Sequence, residues 1–170
     1  MTLTALTSVT FQDDKEGLLG IRVAQFLESA NEKSGVYFDP NGKPTNVNGA
    51  SPGANGVYLT SEGKKGDDVW STRGRWCILT GTDADQKTVT VAILDNPKNP
   101  NYPTYWHARG YGLFAANPLG QHIFDPKAAP LNYTIEAGHD VTFRYRVLLM
   151  SGAPASAEMN RQADAFATAK

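Results

Sequence analysis

Along most of the chain apolar and polar residues alternate with a period of two, the signature of strands with one buried and one polar face. Leu19, Ile21 and Val23 alternate with Gly20, Arg22 and Ala24. Residues 75–80 are β-prone by composition and residues 88–94 alternate cleanly. Residues 140–149 form the longest expected strand, with Phe143, Tyr145, Val147 and Leu149 on one face and Arg144 and Arg146 on the other. Weaker strands are expected over 4–11 and 131–136. Helical spacing occurs in one place, residues 155–169, where Met159, Ala163 and Phe166 recur among alanines. That segment is expected either to pack on the domain as a terminal helix or to fray.

Turn signals separate these runs. The Asp39-Pro40-Asn41-Gly42 run and the stretch 49–56 mark one long loop, and residues 83–86 read as a hairpin connection. Three prolines within residues 96–103 exclude a sheet interior. The pattern predicts an all-β protein, an antiparallel β-sandwich over residues 1–152, followed by a helical or flexible tail over 153–170.

The length of 170 residues suits one domain, and 41% apolar residues can fill a core. Sixteen basic against seventeen acidic residues give a net charge of −1, which argues against a general nucleic-acid binder. Cys77 is the sole cysteine, so no internal disulfide can form, and its apolar neighbours Trp76 and Ile78 predict a buried, inert thiol. The longest apolar run, Val147 to Met150, is far short of the ~20 residues of a membrane span. Residues 1–4 lack a basic region and an apolar core, so the chain as written reads as cytoplasmic; a fragment of a longer protein would leave the compartment open.

The arginines are distributed unevenly. Arg22, Arg75, Arg109, Arg144 and Arg146 fall in expected strands, whereas the lysines fall in loops, turns or the C-terminal end. A guanidinium fork suits carboxylates, phosphates and vicinal hydroxyls. One reading is a polar, concave sheet face that binds a hydroxylated or anionic small molecule; the other is arginines that hold loops over the sheet. The densest chemistry lies in Pro103-Thr104-Tyr105-Trp106-His107-Ala108-Arg109. If these residues are extended, Tyr105, His107 and Arg109 project to one side, and Trp106 becomes a core anchor or a platform for a sugar ring. His107 beside a fixed cation is a candidate general base, or a structural histidine bonded to a loop carbonyl. The glycine-rich run 61–68 is a surface loop that could close over the sheet. His107, His122 and His139 lack metal-ligand spacing, so no metal and no cofactor are expected.

Several blocks together resemble the PmoA-like family. They are residues 16–23 (EGLLGIRV), Ser61-Glu62-Gly63 with Trp70-Ser71-Thr72-Arg73, residues 92–95, residues 103–109 with 111–118, and residues 143–146. The resemblance implies a fold like the galactose-mutarotase-like supersandwich, with ligand on a concave sheet face. It implies that this chain corresponds to about the C-terminal half of the family's usual length, and a setting in bacterial sugar utilisation without an established reaction. Asn96 and Asn101-Tyr102 depart from the histidine-bearing pattern of that family, and Ser71 replaces a frequent glycine.

The expected function is recognition of a carbohydrate or sugar acid. Arg22, Arg73, Tyr105, Trp106, Arg109 and Asn117 are the candidate substrate-binding residues. The alternatives are an epimerase- or isomerase-type enzyme with His107 as base and Glu62 or Asp95 as its acidic partner, and a non-catalytic half of a larger sandwich. Whether the chain is an enzyme stays open. The expected partners are a small carbohydrate and either a second copy or a missing N-terminal half, with no nucleic acid and no membrane.

Overall fold

The segments with the cleanest alternation form the centre of the molecule. The structure, a computed structural model, describes residues 1–29, 35–38, 43–47 and 53–169. In chain order its strands are β1 (Thr2–Thr4), β2 (Val9–Phe11), β3 (Leu19–Arg22), β4 (Gly35–Phe38), β5 (Pro44–Val47), β6 (Val57–Thr60), β7 (Trp76–Thr82), β8 (Thr88–Asp95), β9 (Tyr105–Ala108), β10 (Leu113–Asn117), β11 (Tyr133–Ile135), β12 (Asp140–Thr142) and β13 (Tyr145–Ser151). Helix α1 (Gln121–Phe124) follows β10, and α2 (Ser156–Thr168) follows β13.

All strand pairs are antiparallel. A four-stranded sheet has the order β13-β8-β7-β6 and a three-stranded sheet the order β3-β10-β9. Their facing sides enclose one core. Cys77, Leu79, Val91 and Ile93 come from the larger sheet; Trp106, Ala108, Phe114 and Ala116 come from the smaller. This is a β-sandwich without a closed barrel. Cys77 is fully buried, and burial pushes its thiol pKa well up, so it stays protonated and inert.

The opposite side of the larger sheet holds a second core, where Trp76, Ile78, Ala92 and Leu94 meet Met159 and Ala163 of α2. The helix is pinned by Trp76 Nε1 donating to Asn160 (2.9 Å) and by an ion pair from Arg75 to Asp164. Arg146 stacks on the Phe166 ring, 4.6 Å from its centroid. Of the two expectations for the tail, the packed helix is the one found.

Several elements depart from the sequence pattern. The long strand expected over 140–149 is broken, because Asn99 captures the backbone of Arg144. Asn99 accepts from the Arg144 N–H and donates to its carbonyl, both at 2.6 Å. As a result β12 pairs with β1 while β13 pairs with β8. Beyond the break, Val147 (43% exposed) and Leu149 (77%) stand uncovered on β13, an edge strand of the four-stranded sheet. Residues 4–11 divide into β1 and β2 around a turn. The segment read as one long loop contains β5, paired with β4; residues 39–42 and 49–52 of that reading lie outside the described residues. Helix α1 was not expected, since four residues are too few to establish a period. The hairpin at 83–86 is present, with Asp83 accepting from the N–H groups of Asp85 and Lys87.

Candidate functional site

Because Trp106 and Ala108 point into the sandwich, strand alternation turns Tyr105 and His107 to the outer face of the three-stranded sheet. By the same logic β10 presents Leu113, Ala115 and Asn117 there, and β3 presents Gly20 and Arg22. The registers then set out rows across the sheet. Gly20 lies opposite Ala115, which lies opposite His107; Arg22 lies opposite Leu113, whose carbonyl accepts from the Arg109 N–H. Asn117 lies opposite Tyr105.

One end of this face is roofed. Phe124 of α1 stacks on Tyr105 (centroids 5.4 Å apart) and meets His107 edge-on (6.0 Å). Residues 12–17 close the neighbouring area. Asn117 donates to the carbonyls of Asp14 and Lys15, and its oxygen accepts from the Leu119 N–H. Under this roof His107 is 2% exposed.

Residues 66–69, a turn of 3-10 helix, deliver Trp70 to the edge of the roof. The following residues 71–74 run antiparallel to 104–106, with Trp106 N–H donating to Thr72 and Ser71 N–H donating to Trp106. The Ser71 hydroxyl bonds the Phe124 carbonyl, so the segment that follows the glycine-rich run supports α1. Trp70 meets Phe124 edge-on at 5.8 Å. The Arg109 guanidinium lies 4.5 Å from the centroid of the Trp70 ring.

His107 and Arg109 are joined directly. Nδ1 of His107 lies 2.9 Å from the Lys15 carbonyl, and Nε of Arg109 donates to His107 Nε2 at 3.2 Å. A carbonyl can only accept, so Nδ1 carries the proton and Nε2 offers its lone pair. Burial, and after it the Arg109 charge, hold the His107 pKa below its ordinary value, which keeps the ring neutral at pH 7. Arg109 is thus fixed at Nε and on one face. Among the described residues no hydrogen bond or ion pair occupies its two terminal nitrogens.

The other candidates are dispersed. Trp106 is fully buried and is a core anchor, not a sugar platform. Tyr105 is sealed between Phe124 and Arg73, whose guanidinium lies 4.7 Å from the ring centroid. Arg73 is consumed by the 96–103 loop, donating to Pro103 and Asn101 (2.7–2.9 Å). Asp95 is the other hub of that loop and accepts from Asn96, Asn99 and Thr104. Glu62 sits on an exposed turn bonded to Ser61. No hydrogen bond or ion pair joins Glu62 or Asp95 to His107 among the described residues. Arg22 is exposed, donates to the Tyr111 carbonyl at 3.2 Å and stacks on that ring.

The arginines therefore do not share one face. Arg22 and Arg109 lie on the outer face of the small sheet, Arg75 and Arg146 face α2, and Arg73 holds a loop. Sequence reasoning missed Trp70, Phe124 and Lys15 as builders of the site. Trp70 stands in a quoted block without a role, and nothing local marks Phe124 or a main-chain carbonyl as a partner of His107. The described residues contain no cluster of metal-ligating side chains. A cleft of about 510 Å³ opens elsewhere, between residues 25–26, 53–55 and 82–86. There Asn55 is occupied by the main chain of Gly53 and Thr82, and the Asp83 carboxylate by its own turn. No helix among the described residues is long and apolar enough to cross a membrane.

Comparison with known proteins yields one match. The model of a family of unknown function, DUF6807, matches residues 1–164. No curated protein and no solved structure matches the chain. This corrects the PmoA-like resemblance: no such family is matched, and the expectations of a half-length chain and of a mutarotase-like setting lose their basis. The blocks that carried it have a local explanation here, because Trp70, Arg73, Asp95, His107 and Asn117 each hold the roof or a loop of this fold.

Proposed function

The chain belongs to DUF6807, a family of unknown function, so its own site must suggest an activity, and we propose that the domain recognises a carbohydrate acid through Arg109. The observation that carries this reading is a guanidinium held at Nε and on one face, with neither terminal nitrogen bonded to a partner among the described residues. A fork fixed in this way suits the two oxygens of a carboxylate, with little ordering cost on binding. Arg22 stands two strands away, about 10 Å at ordinary strand spacing. Between the two arginines lie the half-buried Leu113 and, one row along, the exposed Gly20, a strip without long polar side chains that a sugar ring could cover.

Turnover has weaker support. A general base needs a free lone pair, and the Nε2 lone pair of His107 already accepts from Arg109. A second reading, association with another copy, is favoured by one observation, the uncovered Val147 and Leu149 on the edge strand β13.

The test is calorimetric titration with uronic acids, neutral sugars and sugar phosphates, using wild type and Arg109→Lys. Uronate binding that Arg109→Lys abolishes is the expected result, since an ammonium can neither stack on Trp70 nor present a fork. Equal binding of neutral sugars and uronates, or none of either, contradicts the proposal.

A further inference from the structure

We propose that His107 is the positioning residue that holds Arg109 in its binding orientation, and that acid disables the site by turning this acceptor into a donor. The inference rests on the reading of Arg109 as the ligand's fork. In the neutral ring Nδ1–H is spent on the Lys15 carbonyl and Nε2 receives the Arg109 Nε–H. Anchoring Nε restricts rotation of the guanidinium plane about its last bond, and Trp70 blocks one face, so the terminal nitrogens point in one direction. Protonation leaves both ring nitrogens as donors. The Arg109 Nε–H then meets an N–H and a second positive charge at 3.2 Å, and the guanidinium has to leave.

The groups packed around His107 make this switch specific. Its own strand contributes Arg109 and Tyr105, and β10 contributes Ala115 and Asn117, neither of them charged. Helix α1 contributes the Phe124 ring, flanked in sequence by His122 and Asp125. Residues 12–17 contribute the Lys15 carbonyl and the Glu16 charge, which favour protonation, and the Lys15 ammonium, which opposes it less strongly. Among the described residues no carboxylate hydrogen-bonds the ring, and burial and the Arg109 charge outweigh the Lys15 carbonyl and Glu16, which favour the imidazolium. The transition therefore falls below the ordinary imidazole value of 6.5.

The experiment reads the clamp without any ligand first. In nitrogen-15 NMR spectra of the full chain at about pH 7.5, His107 is expected as the Nδ1–H tautomer, and Arg109 is expected to show a protected Nε–H signal. That signal should vanish on acidification, in step with His107 protonation and with a midpoint below 6.5. In His107→Gln an amide oxygen can occupy the Nε2 position and the signal should persist to about pH 5; in His107→Ala it should be missing throughout. An Nε2–H tautomer, or an Arg109 signal indifferent to acid, overturns the proposal, and wild type alone decides this if the variants do not fold. With D-galacturonate as the probe, affinity should fall in wild type as the pH is lowered from about 7.5 towards 5, with the same midpoint as the Arg109 signal, and stay level in His107→Gln. The uronate carboxylate stays ionised over that range. Absence of galacturonate binding at either pH, with the NMR clamp intact, would overturn the carbohydrate-acid reading and not the clamp.

Discussion

Neutralising Asp95 should remove a specific pH dependence from the stability of this fold. The carboxylate is 2% exposed and accepts three hydrogen bonds, from the N–H groups of Asn96 (2.9 Å) and Thr104 (2.8 Å) and from the Asn99 amide (2.6 Å). Those bonds and the Arg73 charge favour the ionised form, yet burial outweighs them and its pKa is pushed up to about 6, from 3.8. A shift of about two pH units corresponds to about 3 kcal/mol. The sign follows from proton binding: between pH 3.8 and about 6 the folded state holds a proton that the unfolded state has released. The contribution is therefore fully present below 3.8 and is lost as pH rises through about 6. Asp13 works the other way. Its pKa is lowered, with hydrogen bonds from His122 and Asn132 prevailing over desolvation, so its contribution is lost as pH falls. A single pH profile would mix the two, and the difference between wild type and Asp95→Asn separates them. Asparagine places an NH2 against a loop donor, a cost of roughly 1–3 kcal/mol at every pH. Urea unfolding of both proteins over about pH 4 to 7 should show the stability advantage of wild type growing by about 3 kcal/mol on acidification. A constant difference, or one that grows towards neutral pH, would show that the hydrogen bonds and Arg73 outweigh burial at Asp95.

Phe124→Ala deletes the roof over Tyr105 and His107 and leaves a cavity that a four-residue helix cannot fill by shifting, so it should cost about 3–5 kcal/mol in urea unfolding. A loss below about 1 kcal/mol would mean that the roof contributes little. If a second copy covers β13, light scattering should find a wild-type dimer that Leu149→Lys, altering a residue 77% exposed, converts to monomer. A monomeric wild type removes that reading.

Three strands were legible because alternation and β-prone composition are local properties: 19–23, 75–80 and 88–94 correspond to β3, β7 and β8 within a residue or two. Where long-range contacts decide, the sequence pattern misleads. Nothing local to 140–149 announces that Asn99, some 45 residues away, takes the backbone of Arg144. The candidate site divides in the same way. Putting His107 and Arg109 on one side of a strand follows from parity alone. Separating Arg109, held only at Nε among the described residues, from Arg73, held at Nε and at one terminal nitrogen by the 96–103 loop, needs the partners of each guanidinium, and those lie in other segments. Trp106 illustrates the limit of parity, since it gives opposite sides to Trp106 and His107 without saying which side is the core.

If Arg109, clamped by His107 and Trp70, is a fork for a carboxylate, a crystal structure of the chain soaked with a uronic acid will show it. The carboxylate is expected on the two terminal nitrogens of Arg109, with the sugar ring over Leu113 and Gly20 and the His107 contact to Nε unbroken. A uronate bound away from Arg109, or Arg109 turned out of its contacts with Trp70 and His107, would contradict it.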